Sequence, residues 1–419
     1  MMGFFFFATL MLGIPIVIVM ALSTILYIQL SGNTVLYISL PQQLFGGLEN
    51  YSLLAIPLFV LVGEMMNEVG MTRRLVSFAM IFAGRIKGGL AVVNLLANMF
   101  AAAVMGSAVA QVAVMTQALV PEMVAKGYNR VVSVATTLAG SLLAPVIPPS
   151  MAFIVYGVLA QVSVSDMFIA GIIPGILLTL SFLIVLFIIG LFVELPGGTA
   201  IGFAQAKRNF ITSLPSLTVP VLMVSAIVFG FLSPTETAAV AVLHILFVGH
   251  FFHGGVQIGH LPGLLLRAGT TSAVVLGLMA TANVFGWVLT FEGVLHQIAS
   301  FMLSMTTDTF IFMLLLIFVL VLIGTVLDSM AAMILLVPIL QPVATQSYGV
   351  DPYVFGVVVC IALTIGLATP PVGAGLYIAA RLGEVSSIRL TCWVLPFLIA
   401  TILVLVLLSA FPALITSVI

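Results

Sequence analysis

Apolar stretches long enough to cross a lipid bilayer recur along the whole chain. A transmembrane helix needs about 20 consecutive apolar residues. Of the 419 residues, 63% are hydrophobic and 5% are charged, whereas a soluble domain carries about a quarter charged residues. The pattern excludes a soluble protein and predicts an all-α polytopic membrane protein with about ten to a dozen crossings. Residues 4–27 are predicted to form the first span, because they lack the basic start and cleavage site of a signal peptide.

Positive charges orient such a chain, because short loops rich in Lys and Arg stay in the cytoplasm. All the groups of basic residues can be cytoplasmic if the N-terminus is cytoplasmic and two segments enter and leave the membrane on the same side. The net charge of -1 provides no basic surface for nucleic acid. The groups are Arg73, Arg74, Arg85 and Lys87; Lys126 and Arg130; Lys207 and Arg208; Arg267; and Arg381 and Arg389.

The two segments that do not cross are predicted to be re-entrant hairpins. The first, residues 88–126, has its tip at Gly106 and Ser107 and basic residues at both ends, so it opens to the cytoplasm. The second, residues 308–347, has its tip at Asp328 and Ser329 and no Lys or Arg at its base, so it opens to the other side. Non-helical backbone is tolerated at membrane depth only where protein or water satisfies it. Two opposed hairpins therefore predict a central site.

A shift of 222 positions aligns the two halves of the chain. It places Ser107 on Ser329 and the pair Pro148 and Pro149 on Pro370 and Pro371. The alternative is an accidental match, but accidental matches between apolar sequences fall on Leu, Ile, Val and Ala. With the charge pattern, the match predicts two inverted-topology repeats, as in secondary transporters whose site lies near the bilayer midplane. One extra span, near residues 210–232, separates the repeats.

The paired prolines are predicted to break a helix in each repeat, because proline removes an amide donor and clashes with the preceding turn. Freed carbonyls can bind a small cation, and half-helix N-termini can bind a carboxylate. Each hairpin tip with its break therefore predicts one cation site, with space for an anionic solute between the two sites. For each Ser or Thr, a hydrogen bond to its own helix is the alternative. The predicted cation ligands are Gly106, Ser107, Gly140, Ser141, Pro145, Asp328, Ser329, Thr364, Gly366 and Thr369, and the predicted solute contacts are Ser107, Pro148, Pro149, Ser150, Ser329, Pro370 and Pro371.

Ionisable residues inside a membrane are functional candidates, because burying a charge there is costly. Asp328 lies at the second tip, whereas Glu236 is predicted to cap its helix. The role of Glu64 is left open by the sequence.

Cys360 and Cys392 have no metal-site spacing and are interpreted as packing residues. No catalytic set or P-loop is present, so the sequence predicts neither an enzyme nor an ATP-driven pump.

Several motifs in order resemble the large membrane subunit of tripartite ATP-independent periplasmic (TRAP) transporters, over nearly the whole chain. The resemblance implies a sodium-driven importer of carboxylates, such as sialic acid, related sugar acids or C4-dicarboxylates, in the bacterial inner membrane. Many relatives carry an acidic residue at the place of Gln111, which favours backbone carbonyls as sodium ligands here. The motifs are Gly106-Ser107-Ala108, Pro145-x-x-Pro148-Pro149-Ser150, Pro234-Thr235-Glu236 and Thr369-Pro370-Pro371-Val372-Gly373.

The resemblance also implies two partners and a mechanism. The partners are a small four-helix membrane subunit and a periplasmic substrate-binding protein. The small subunit is expected to be a separate polypeptide, because this chain begins directly with its first span. The mechanism is an elevator, in which the hairpins and broken helices move against a scaffold within the bilayer. Two cation sites from the repeat predict two or more coupled sodium ions.

The chain divides accordingly into five predicted parts. Residues 1–87 are scaffold, and residues 88–160 are a moving part with a broken helix over 129–160. Residues 161–307 are scaffold and linker. Residues 308–380 are a second moving part with a broken helix over 351–380, and residues 381–419 contain the last span.

Three other functions remain as alternatives. A stand-alone dicarboxylate-sodium symporter of similar architecture would need no partner protein. A channel would show a continuous polar lining, which the sealed apolar hairpin arms disfavour. An intramembrane enzyme would need the catalytic set that the sequence lacks.

Overall fold

The computed structural model describes residues 2–83, 87–197, 202–252, 255 and 258–419. Within these ranges the chain is helical and contains no strand. Arg85, one of the basic residues that orient the chain, lies outside the described residues. The helices are α1 Met2–Met11, α2 Ile16–Ser31, α3 Leu36–Gly46, α4 Ala55–Glu68, α5 Met71–Ala79, α6 Gly89–Met105, α7 Ala108–Ala125, α8 Arg130–Ser141, α9 Met151–Leu159, α10 Val164–Phe192, α11 Phe203–Val228, α12 Pro234–Phe252, α13 Leu261–Phe291, α14 Val294–Met305, α15 Thr309–Gly324, α16 Ser329–Tyr348, α17 Pro352–Leu367, α18 Ala374–Leu382, α19 Ser387–Ala410 and α20 Ala413–Thr416.

The described helices include eight that are long and apolar enough to cross a membrane, or nine if α14 and α15, bent by 117°, count as one span. This is fewer than the ten to a dozen crossings predicted from apolar length. The reason is that much of the apolar sequence lies in α6, α8, α9, α17 and α18, which have 9 to 17 residues. Residues 4–27 also do not form one span, because Gly13, with φ of 73°, and Pro15 separate α1 from α2.

Two groups of helices share one order of elements: two hairpin arms, a helix, a break and a half-helix. We call them the first hairpin block (α6–α9) and the second hairpin block (α15–α18). The turns between the arms lie at the predicted tips, and the breaks lie at the two proline pairs. The side chain of Asn129 accepts a hydrogen bond from Val131 N at the start of α8, and Asp351 accepts from Tyr353 N at the start of α17. These caps satisfy amides that would otherwise be unpaired at each helix start.

The two blocks interlock. Helix α9 packs against α16 and α17 of the second block, and α18 packs against α7 and α8 of the first. At one end the Tyr156 hydroxyl donates to the Pro352 carbonyl. At the other end Arg130 Nη1 lies 2.6 Å from Glu384 Oε2. Each broken helix is therefore tied to the opposite block through the half-helix that follows its break.

The remaining long helices surround the blocks. Helices α10 and α19 contact each other and both blocks. We call α1–α5 and α11–α14 the outer helices; among them α13 packs on α2, α3 and α4, and α11 packs on α5 and α12. Helix α11 covers most of the predicted extra span near residues 210–232. Helices α4 and α13 also contact α6, α9 and α16, which places a boundary between outer helices and hairpin blocks.

Candidate solute and sodium site

A cavity of about 490 Å³ lies between α4 and α13 on one side and both hairpin tips on the other. Asn67, Thr270 and Thr271 are exposed, and we call their part of the cavity the open end. Ala110, Val274 and Asp328 are also exposed, whereas Leu278 and Leu363 are buried. The cavity therefore brings together residues from both halves of the chain. The lining residues are Val60, Gly63, Glu64, Asn67, Met105, Gly106, Ser107, Ala108, Val109, Ala110, Pro145, Met151, Ala152, Thr270, Thr271, Val274, Val275, Leu278, Asp328, Ser329, Met330, Met333, Cys360, Leu363 and Thr364.

The two tips present serine hydroxyls to the cavity. Gly106 has φ of 57°, a left-handed conformation that lets α6 end abruptly before Ser107. At the second tip Asp328 Oδ2 accepts a hydrogen bond from Met330 N at 3.0 Å and so caps α16. Within the described residues, neither Ser107 Oγ nor Ser329 Oγ makes a hydrogen bond. Both hydroxyls are therefore available to a ligand in the cavity.

The break in the first block is buried. Pro148, Pro149 and Ser150 are all shielded from solvent. Ser150 Oγ donates to the Pro145 carbonyl at 2.6 Å and accepts from Phe153 N at 3.4 Å. Pro145 lines the cavity, and its carbonyl oxygen has a second lone pair besides the one that accepts from Ser150.

The break in the second block is exposed at Pro370 and Pro371. Here the Thr325 carbonyl accepts hydrogen bonds from Val372 N at 3.2 Å and Gly373 N at 3.3 Å. The freed amides after the break are thus satisfied by the end of the hairpin arm. The hydroxyls of two predicted ligands bond to their own helix, with Thr364 donating to Cys360 O and Thr369 to Ile365 O.

Five fully buried polar side chains form a network inside the first block. Asn94 Nδ2 donates to Thr137 Oγ1 at 2.7 Å, and Asn98 Nδ2 donates to Asn94 Oδ1 at 2.7 Å. Gln111 Nε2 donates to Asn98 Oδ1 at 3.0 Å, and Ser141 Oγ lies 3.1 Å from the same oxygen. Gln111 Oε1 has no partner within the described residues. The predicted ligand Ser141 is therefore engaged with protein groups.

Two glycines predicted as ligands have a packing role. A Cβ on Gly366 would lie 2.0 Å from the carbonyl carbon of Gly324, so the backbones of α17 and α15 touch there. A Cβ on Gly140 would lie 2.7 Å from the Cβ of Asn98. The absence of a side chain at these positions lets each broken helix approach its hairpin.

The family model described as "Tripartite ATP-independent periplasmic transporter, DctM component" matches residues 4–414. The chain belongs to this family. It is the large permease component of a TRAP system, a multi-pass membrane transport protein and not an enzyme, which confirms the resemblance seen in the sequence.

Named relatives of this DctM-family permease cover most of its length. The sialic acid TRAP transporter large permease protein SiaM of Vibrio cholerae is 34% identical over 375 residues, which are 88% of this chain and 87% of SiaM. The C4-dicarboxylate TRAP transporter large permease protein DctM of Pseudomonas aeruginosa is 32% identical over 90% of this chain and 88% of that protein. The crystal structure of the Alcanivorax borkumensis YdaH transporter matches 91% of this chain and 89% of that chain, with a TM-score of 0.65 and 16% identity. It shows a likeness of fold alone and agrees with the predicted all-α polytopic class.

The cavity brings together part of the predicted site. Gly106, Ser107, Pro145, Asp328, Ser329 and Thr364 line it, whereas Gly140, Ser141, Pro148, Pro149, Ser150, Gly366, Thr369, Pro370 and Pro371 do not. The first set combines both tips with one residue from each broken helix. The roles of all these residues toward sodium and solute stay predictions.

Other lining residues come from the outer helices and were missed as site residues. They include Asn67, Thr270 and Thr271. Glu64 was singled out as an intramembrane carboxyl but given no role, and it also lines the cavity. The helical spacing of Glu64 and Asn67 was the available signal, because residues three apart share a helix face.

Glu236 caps α12 as predicted: its Oε2 accepts from Ser233 N and its own N–H donates to Ser233 Oγ.

Proposed function

We propose that this permease imports a small organic anion by sodium symport, with the anion delivered by a periplasmic binding protein. Sialic acid, a related sugar acid or a C4-dicarboxylate is the proposed solute class. The similarity to SiaM, a sialic acid TRAP permease, and to DctM, a C4-dicarboxylate TRAP permease, supports this class.

The observation that carries the proposal is the single cavity lined by both hairpin tips and by two outer helices. Its volume of about 490 Å³ falls in the range of about 300–1,000 Å³ that is typical of small-molecule sites. Ser107 and Ser329 line it from opposite halves of the chain, and neither hydroxyl has a hydrogen-bond partner in the part of the chain that the structure describes. A solute there could contact both hairpin blocks at once.

The charges on the cavity wall support coupling to a cation. Among the Asp, Glu, Lys, Arg and His residues that the structure describes, those that line the cavity are Glu64 and Asp328, both carboxyls. A carboxylate solute would be repelled by them, and bound sodium ions would offset that repulsion. We propose two or more sodium ions near the tips, held by Ser107, the Pro145 carbonyl and Ser329 among the predicted ligands.

The mechanism that we propose is an elevator. The interlocked hairpin blocks would move together against the outer helices, and the cavity at their boundary would carry the solute. Membership in the TRAP family supports assembly with a small four-helix membrane subunit and a periplasmic substrate-binding protein. We propose the bacterial inner membrane as the location, with the N-terminus in the cytoplasm.

Uptake into proteoliposomes tests the proposal. The permease would be reconstituted with its small subunit and supplied with radiolabelled sialic acid or succinate, under an inward sodium or potassium gradient, with and without the cognate binding protein. We expect uptake only when sodium and the binding protein are both present. Sodium-driven uptake that ignores the binding protein would instead indicate a stand-alone symporter, and equal uptake in sodium and potassium would contradict sodium coupling.

A further inference from the structure

Three charged side chains and His260 form a line of close polar contacts at the open end of the cavity. Arg267 Nε lies 2.8 Å from Glu64 Oε2, and Arg267 Nη2 lies 3.6 Å from Glu68 Oε2. His260 Nδ1 lies 2.6 Å from Glu68 Oε1. Because Glu64 lines the cavity, the Arg267 guanidinium is in direct contact with the cavity wall.

The position of Arg267 on α13 also directs it to this opening. Arg267 lies three and four residues before Thr270 and Thr271, which line the cavity. Residues at this spacing share a helix face. The guanidinium is therefore one helical turn beyond the cavity wall, on the side where the cavity opens.

Arg267 supplies the positive charge that this cavity otherwise lacks. The lining acids Glu64 and Asp328 would both repel a carboxylate. Among the Lys and Arg side chains that the structure describes, Arg267 is the one that forms an ion pair with a lining residue; Arg130 pairs with Glu384 elsewhere. With Arg267 on the predicted cytoplasmic side, a solute passing from the cavity to the cytoplasm would meet this guanidinium.

The present partners of Arg267 are exchangeable. The side chains of Arg267 and Glu64 are 53% and 33% exposed, and ion pairs near solvent contribute little to stability. A guanidinium has a planar set of donors that fits a carboxylate with two parallel hydrogen bonds. Here Arg267 Nε contacts Glu64 and Nη2 is directed to Glu68. Neither carboxylate therefore makes two parallel hydrogen bonds to the guanidinium.

We propose that Arg267 binds the carboxylate of the solute at the open end of the cavity and exchanges its partner Glu64 for that carboxylate. This inference rests on the proposed function and adds to it a binding residue on an outer helix. Glu64 is then the resting partner that holds the guanidinium in place and competes with the solute for it.

Uptake kinetics in proteoliposomes test this assignment with sialic acid and succinate as probes. We expect Arg267→Gln to raise KM about tenfold, as for loss of a charge-assisted hydrogen bond, with unchanged sodium activation. Arg267→Lys keeps the charge but loses the planar fork, so its KM should be intermediate. Glu64→Gln removes the competitor and should lower KM. Arg389→Gln, a matched change at an exposed arginine of α19, should leave KM unchanged.

A double variant separates solute binding from a purely structural ion pair. If Arg267 binds solute, Glu64→Gln combined with Arg267→Gln keeps the high KM of Arg267→Gln. If the pair only joins α4 to α13, the double variant and the charge-swapped pair Glu64→Arg with Arg267→Glu recover the parental KM. Such recovery, or a normal KM in Arg267→Gln, would overturn the proposal.

Direct binding keeps this test separate from the proposed function. Calorimetry on the purified permease at fixed sodium measures the affinity for each probe, and size-exclusion chromatography verifies that each variant is folded. We expect weaker binding in Arg267→Gln and Arg267→Lys than in the parent. Absence of sodium-driven uptake by the parent would contradict the proposed function. If the parent and the variants bind carboxylate equally, or if none of them binds it, the role of Arg267 is contradicted.

Discussion

The first and second hairpin blocks follow one plan in opposite environments. The first block has a buried break and a carboxamide network in its interior, and the second has an exposed break and buries Thr325 and Thr364 but no carboxamide. Positions 222 residues after the buried network are all apolar in the second block: Asn94, Asn98, Gln111, Thr137 and Ser141 correspond to Leu316, Leu320, Met333, Val359 and Leu363. The plan of a repeat therefore fixes where helices break but does not fix what stabilises each break.

The largest expected effect comes from removing a break. Replacing Pro148 and Pro149 with alanine restores amide donors and lets α8 continue into α9, so uptake should fall to background. The same change at Pro370 and Pro371 should also abolish uptake. Thermal stability should fall more for the first pair, because it is buried while the second pair is exposed.

Proteoliposome uptake and thermal unfolding in detergent measure these two effects. Pro396→Ala is the matched control, because Pro396 lies inside the continuous helix α19, and its uptake should be normal. Parental uptake in either double variant would show that the corresponding break is not required. Equal losses of stability would contradict the contrast between buried and exposed breaks.

A smaller effect is expected from exchanging the interiors of the two blocks. Asn98→Leu introduces the residue found 222 positions later and leaves the Asn94 carboxamide oxygen without its donor. A buried polar group left unpaired costs about 1–3 kcal/mol. Leu320→Asn should be destabilising for the converse reason, because it places an unpaired carboxamide in an apolar interior.

Thermal unfolding of the purified variants tests the exchange. Gln111→Met, the change toward Met333, should be milder because it also removes the unpaired Gln111 Oε1. If Asn98→Leu unfolded at the parental temperature, the network would add no stability to the first block. If Leu320→Asn also unfolded at the parental temperature, the second block would tolerate a buried carboxamide without loss of stability.

The smallest expected effect is on sodium affinity. Ser107→Ala and Ser329→Ala remove hydroxyls that make no hydrogen bond within the described residues, so folding should be unaffected. If each hydroxyl binds sodium, the sodium concentration for half-maximal uptake should rise up to about tenfold in each variant. Thr391→Val is the control, because Thr391 on α19 is not a predicted ligand and its hydroxyl bonds to Ser387 O. Unchanged sodium curves in both serine variants would contradict the assignment.

Local signals account for what the sequence predicted well. Glycine at the first tip, proline pairs at the breaks and Asn129 and Asp351 at the helix starts act on the backbone within a few residues. Their effects could be predicted without knowing the rest of the fold. The contrast between Asn98 and Leu320 was also visible in the sequence once the halves were aligned.

Long-range packing accounts for what the sequence did not predict. Nothing local to Glu64 or Thr270 indicates that α4 and α13 face the hairpin tips. Likewise, the two proline pairs look alike in sequence, but one is covered and the other is not. Apolar residues in half-helices also look like spans, which is why the sequence predicts more crossings than the described residues have long apolar helices.

The interlock between the blocks has a consequence for synthesis of the protein. Arg130 meets Glu384, which is 254 residues later in the chain, and α18 is needed to cover α7. During synthesis, the first hairpin therefore remains in the translocation machinery or the lipid without these contacts until nearly the whole polypeptide has been translated. Within the hairpin itself, Asn98 donates to Asn94 Oδ1 and Gln111 donates to Asn98 Oδ1, so part of its buried network can form before the second block exists.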